Sequence, residues 1–246
     1  MDFLNSIISL LEKYWPMFLS GIGTTMLIAL TSTLLGIVIG VVIGIVRTTP
    51  KSKNPFVRGF QNFINALIYA YVEVFRGTPM MVQAMVIYWG YAFIMDGKTL
   101  PLIPSAIFIV SINTGAYVAE IVRGGIISID KGQFEGAQAI GMGHLQTMIY
   151  IVMPQVLRNI LPAVSNEFVI NIKDTSVLNV IGVSELYFQS YTIGTATYKL
   201  FPVYAITCVI YFVLTFSVTR ILKFIEKKMD GNENYRVIVE SDGGAK

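Results

Sequence analysis

The chain has 246 residues, of which 54% are hydrophobic and only 13% charged, with a net charge of +3 and a mean hydropathy of +0.64. Soluble domains carry about 25% charged residues, so a water-solvated globular domain is excluded and lipid is the expected solvent. A single histidine and a single cysteine leave no internal disulfide, metal cluster or histidine-based catalytic triad to build, and no basic stripe with interleaved aromatics points to nucleic acid.

Taken in chain order, the first element predicted is an amphipathic segment over residues 1–14, lying on the outer membrane surface, with Pro16 marking the start of the first span. The opening is acidic at Asp2 and lacks a basic leader, and its apolar run is longer than a secretory signal tolerates, so no signal peptide is expected. Tyr14 to Val46 carries no charge; the same holds for Gly77 to Met95, Thr99 to Ala119 and Leu200 to Thr219. A bilayer core needs about 20 apolar helical residues, so each run is long enough to cross. Lysine and arginine concentrate in cytoplasmic loops. Here they gather at Arg47, Lys51, Lys53 and Arg58, at Arg123, Lys131 and Arg158, and at Arg220, Lys223, Lys227 and Lys228. That distribution predicts an external N-terminus and an internal C-terminus.

Parity then requires residues 55–96 to cross once, although forty helical residues would reach about 60 Å. Asn54 to Phe75 is therefore read as partly lateral on the cytoplasmic side, with a break at Gly77–Pro79 and most of the crossing made by Met80 to Ile94. The third span carries Asn113, Tyr117 and Glu120 at i, i+4, i+7, and the fourth, Leu161 to Gly182, carries Asn166, Glu167, Asn171, Lys173 and Asp174. Glu167, Asn171 and Asp174 share one helical face, which must look into protein or a wet cavity. Those residues are candidates for lining a substrate path; a Lys173–Asp174–Glu167 network that only holds helices together is the competing reading. Glu73 with Arg76, and Glu120 with Arg123, are spaced i, i+3 and read as structural ion pairs at the cytoplasmic edge. Residues 229–246 read as a disordered polar tail. The count is about five spans in an all-α integral membrane protein, with a transmembrane body over 15–228.

The polar, glycine-punctuated stretch at 131–154 is the most informative part of the chain. Lys131 to Ile140 is expected to be a short helix whose small residues Gly136 and Ala137 admit a close partner backbone. Gly141 supplies a turn that a Cβ resists. A second helix, Leu145 to Val152, is expected to end at Pro154. The spacing Glu135, Ala137, Gly141, Ile151, Met153, Pro154 resembles the EAA loop of ABC-importer permeases, with Gly136 in place of the usual second alanine and Met153 in place of leucine. Four further stretches, EVFRGTPMMVQ from Glu73, TGAYVAEIVRGGIISIDKGQ from Thr114, PQVLRNILP from Pro154 and NEFVINIKDTSVL from Asn166, resemble the histidine/glutamine/arginine-type polar amino-acid uptake permeases. The resemblance covers Gly21 to about Lys228.

It implies a type I ABC-importer permease fold and a multi-pass subunit of the bacterial inner membrane that catalyses no chemistry itself. Glu135, Gly136, Ala137, Gly141, Met142 and His144 would form the surface coupled to a separate ATP-binding subunit. ATP and magnesium would sit on that partner, since the chain lacks a G-x-x-x-x-G-K-[ST] phosphate loop. A second permease subunit (self or sibling) and an extracytoplasmic substrate-binding protein complete the expected assembly. A self-sufficient secondary transporter is the alternative; the internal repeats usual there are not evident.

Overall fold

The computed structural model describes residues 2–229, and all described regular structure is helical. The helices are α1 (Asp2–Thr48), α2 (Pro55–Gly77), α3 (Met80–Ile94), α4 (Leu102–Ile127), α5 (Lys131–Ala139), α6 (His144–Thr147), α7 (Met153–Asp174), α8 (Leu186–Thr197) and α9 (Leu200–Met229). One π turn, Met148–Val152, joins α6 to α7, and a 3₁₀ stretch, Thr175–Ile181, extends α7. Four continuous helical segments are long and apolar enough to cross a membrane: Phe3–Thr48, Leu102–Ile127, His144–Ile181 and Leu200–Met229. The broken pair α2–α3 supplies the remaining apolar stretch. The residues expected to form a tail, 230–246, lie outside the described ones, and Met229 is still helical.

The organising contact is between α1 and α4. Gly36, Gly40 and Gly44 repeat every fourth residue and so form one stripe on α1. A Cβ built on Gly36 would stand 2.8 Å from the Thr114 side chain, one on Gly40 2.5 Å from Val118, and one on Gly44 2.5 Å from Val122. Real Cβ atoms do not approach so closely, so only glycine lets these two backbones meet. Toward the other end of the same helix Gly21 faces Leu186, where a Cβ would come within 2.8 Å of the backbone. The Thr25 hydroxyl accepts the Leu186 N–H there at 3.2 Å. In lipid, where apolar side chains gain nothing from leaving water, such close approach supplies the packing that holds helices together. Helix α4 is consequently buried on most sides, from Ser105 to Ile126.

Two predicted boundaries move and a third holds. First, α1 is unbroken for 47 residues, about 70 Å long, and runs straight through Pro16. Leu10 before the proline and Phe18 after it are buried in one cluster with Leu186, Ile193, Val203 and Ile206 of α8 and α9, so packing holds both halves in one helix. Residues 2–14 are therefore the first turns of α1 rather than a separate surface segment. Second, the helix after the loop does not stop at Pro154. The π turn makes an i→i+5 bond from the Met153 N–H to the Met148 carbonyl, and this wider turn carries the chain past a residue with no N–H to give. Third, the break between α2 and α3 falls where expected, at Thr78–Pro79, and a side chain repairs it. The Gln83 amide donates to the carbonyls of Phe75 and Thr78, each at 2.9 Å, and to the Thr78 hydroxyl at 2.8 Å.

Glu185 caps α8 from a fully buried position. Its carboxylate accepts the N–H groups of Tyr187 at 2.8 Å and Phe188 at 2.7 Å, and the Tyr211 hydroxyl at 3.0 Å, so one side chain ties α8 to α9. Burial pushes its carboxyl above the usual range, opposed by those three donors. The stripe predicts that Gly40→Val costs about 1–3 kcal/mol through forced overpacking. Its thermal unfolding midpoint in detergent should fall well below wild type. Gly124→Ala, where a Cβ meets nothing within 4 Å, should leave the midpoint nearly unchanged.

Candidate functional site

The loop between α4 and α7 forms a two-helix hook. Asp130 starts it by accepting the Gly132 N–H on its side chain at 2.7 Å. Helix α5 ends at Ala139 and the chain turns at Gly141, whose φ of +81° is left-handed and costs a residue with a Cβ about 1–2 kcal/mol. The Met142 N–H returns to the Ala137 carbonyl at 3.0 Å and so closes the turn. Helix α6 is then started by Gln146, whose side-chain oxygen accepts the Gly143 N–H at 3.0 Å. Ala137 is buried beneath the hook and Met142 is half-buried. Glu135, Gly136, Gly141 and His144 are exposed. Two residues that the sequence reading passed over stand out more: Ile140 is 77% exposed and Leu145 68%, flanking the turn as an apolar pair in an otherwise polar loop.

The hook is anchored below. Met148, Val152, Met153, Val156 and Ile160 are buried against Val118, Val122 and Ile126 of α4 and Ile129 of the connection that follows it. Helical structure is continuous from His144 through the π turn to Ile181, so the hook and the polar stretch of α7 are parts of one lever.

The polar residues predicted within the spans divide into two groups. Asn113 and Asn171 are buried, with exposures of 8% and 3%, and both are occupied. The Asn113 amide donates to Gln83 Oε1 at 2.9 Å and to the Phe75 carbonyl at 3.3 Å, extending the repair of the α2–α3 break to α4. The Asn171 amide donates to the hydroxyls of Thr33 at 2.8 Å and Thr114 at 3.0 Å, joining α7 to α1 and α4. Neither threonine was picked out from sequence, because their value depends on helix neighbours 57 and 138 positions away. Glu167 and Asp174 are half-buried and Asn166 and Lys173 exposed. Among the described residues none of Glu167, Lys173 and Asp174 is in an ion pair, so the expected internal network is not formed.

Toward the C-terminal end of α4 Glu120 bonds Arg123 with Oε2 at 2.9 Å from Nε, and its other oxygen takes Arg47 from α1. Arg47 is the member the sequence reading missed, since it lies 73 positions away. Glu73 and Arg76 do not pair. The Arg76 guanidinium instead lies 5.5 Å from the centre of the Tyr117 ring, a cation–π contact that satisfies Arg76 from α4 rather than from its own helix.

Comparison with known proteins decides what kind of chain carries this hook. The family of binding-protein-dependent transport system inner membrane components matches residues 36–231. The chain belongs to that family. The glutamine transport system permease protein of Escherichia coli K12 is 36% identical over 71% of this chain and 80% of its own length. The arginine transport system permease protein of Bacillus subtilis 168 is 34% identical over 89% of this chain and 94% of its own. Among solved structures, an amino acid ABC transporter crystallised with histidines superimposes with a TM-score of 0.76 at 34% identity, over 93% of this chain and 99% of the other. A methionine ABC transporter in inward-facing form shares the fold, with a TM-score of 0.72 at 18% identity. This permease family member is thus a helical, multi-pass inner-membrane transport subunit, and its fold is that of ABC-importer permeases.

Removing the Asn171 bridge should cost about 1–3 kcal/mol, because buried hydroxyls lose their partner. Asn171→Ala is expected to lower the unfolding midpoint of the purified chain. Gly141→Ala, strained in the hook alone, should raise proteolytic cleavage between α5 and α6 without a comparable shift in that midpoint.

Proposed function

We propose that this permease moves an amino acid across the inner membrane of a bacterium, driven by ATP hydrolysed on a separate subunit that grips the α5–Gly141–α6 hook. The observation that carries the reading is the hook itself, a pre-formed pair of helices with an exposed Ile140–Leu145 edge and an exposed Glu135. Its continuity with α7 supports the coupling. Displacing the hook tilts the stretch that carries Glu167 and Asp174, which gives two arrangements of one lever and so an equilibrium that a partner's closure can shift. ATP and magnesium belong to the partner. A second permease subunit and an external binding protein complete the transporter, with the N-terminus outside and the C-terminus inside.

The relatives named for glutamine and arginine support an amino acid as cargo. Glu167 and Asp174, half-buried and without ion-pair partners among the described residues, suit an ammonium or a cationic side chain. Asn166 and Lys173 suit a carboxylate. Asn113, Asn171 and the Glu120–Arg123 pair hold the helices in register around that path, and Tyr117 carries Arg76.

Two substitutions test the assignment in proteoliposomes holding the whole transporter. Glu135→Lys should reduce ATP-driven uptake by about tenfold or more while membrane insertion stays normal; full uptake would remove Glu135 from the coupling surface. Glu167→Gln should raise the substrate concentration needed for half-maximal uptake without disturbing assembly, and unchanged uptake of every amino acid tried would return Glu167 to a structural role.

A further inference from the structure

A groove of about 370 Å³ runs between α1, α2 and α4, lined by Ile39, Ile43, Leu67, Ile68, Tyr71 and Ile112. Its walls are almost wholly apolar, because the Tyr71 hydroxyl is turned inward and donates to the Ile112 carbonyl. The groove leads toward a cationic shelf. Ile39, Ile43 and Arg47 are spaced i, i+4, i+8 on one face of α1, so Arg47 lies about 6 Å below Ile43. Beyond it the α1–α2 connection carries Lys51 and Lys53, and the first turn of α2 carries Arg58, all exposed. Residues 47–72 contain these four cations and no aspartate or glutamate. Glu120 neutralises Arg47 only in part, since it shares its carboxylate with Arg123.

The shelf is built rather than loose. Gln61 accepts the Ser52 N–H at 2.8 Å and donates to the Pro50 carbonyl at 3.3 Å, fastening the connection to α2. Asn54 caps α2 by accepting the Phe56 N–H at 3.0 Å. Phe56, Phe60 and Phe63 are exposed at i, i+4, i+7 along α2. An apolar helix face beside lysine and arginine is the pattern of an element lying at a membrane surface. Apolar groove and cationic foot together match one molecule with two ends, an acyl chain and a phosphate.

We propose that α1, α2 and their connection form a site for one anionic phospholipid of the cytoplasmic leaflet, with an acyl chain in the Ile43–Leu67–Tyr71 groove and the headgroup phosphate on Lys51, Lys53 and Arg58. The leaflet follows from the orientation given under the proposed function; the binding itself does not depend on transport. Basic clusters beside cytoplasmic helix ends are attractive to anionic headgroups on general grounds. Neutral lipid gains only the groove.

Native mass spectrometry of the intact transporter in detergent, with equal phosphatidylglycerol and phosphatidylethanolamine added and no ATP present, reads the site directly. Wild type should retain phosphatidylglycerol roughly tenfold over phosphatidylethanolamine. The K51Q/K53Q/R58Q variant, changed only at exposed positions, should lose most of that preference at an unchanged unfolding midpoint. Ile43→Trp, which fills the groove, should reduce retention with the cations intact. Equal retention of the two lipids by wild type, or an undiminished preference in the triple variant, overturns the proposal. So does displacement of phosphatidylglycerol by inorganic phosphate at low millimolar concentration, which would mark a free-anion site. Uptake failing while lipid selectivity stands would count against the transport reading alone.

Discussion

The close contact of α1 with α4 is the constraint on which the other helices depend. In a bilayer, lipid tails are as apolar as leucine, so association rests on van der Waals fit and on hydrogen bonds that find no water to compete. Gly36, Gly40 and Gly44 let two backbones meet along about two helical turns, and the buried side chains they press against, Thr114, Val118 and Val122, come from the helix that α2, α3 and α7 also pack against. With α4 so placed, it receives α7 through Val156 and Ile160, and its N-terminal half receives α3 through Tyr88 and Ala84.

Buried polar groups then set the register that apolar packing alone leaves loose. Each of the bridges reaches between helices rather than along one: Asn171 to Thr33 and Thr114, Asn113 to Gln83, Ser190 to Thr207, Glu185 to Tyr211. A polar side chain in a lipid-surrounded bundle must be paired, and a one-turn slip of either helix would unpair it. The break at Thr78–Pro79 is tolerated for the same reason, because Gln83 answers the carbonyls that the missing helical bonds leave open.

On this frame the hook is the part left to meet something else. Its base is buried and its turn is specified by Gly141, yet its apolar edge is exposed among the described residues. The π turn beneath it lets Pro154 pass without ending the helix, and so joins the hook mechanically to Glu167 and Asp174. A proline that would separate two helices becomes, through one extra residue in one turn, part of a single lever.

The helical membrane class, the broken second span, the short α5 helix and the glycine turn at Gly141 were all legible in the sequence. Each depends on local causes: uncharged run length, proline and glycine chemistry, and the spacing of charges. The family was legible because five motifs recur in order. What the sequence could not decide was partnership between distant residues. Arg47 joins Glu120, Arg76 chooses Tyr117 over Glu73, and Asn113 and Asn171 are taken up by bridges rather than left along a path. Nor could it reveal that Pro16 and Pro154 would be carried inside helices, because packing by Leu10 and Phe18 and one π turn override the local preference of proline. Spacing along one helix tells which groups share a face; only the tertiary structure decides which other helix that face meets.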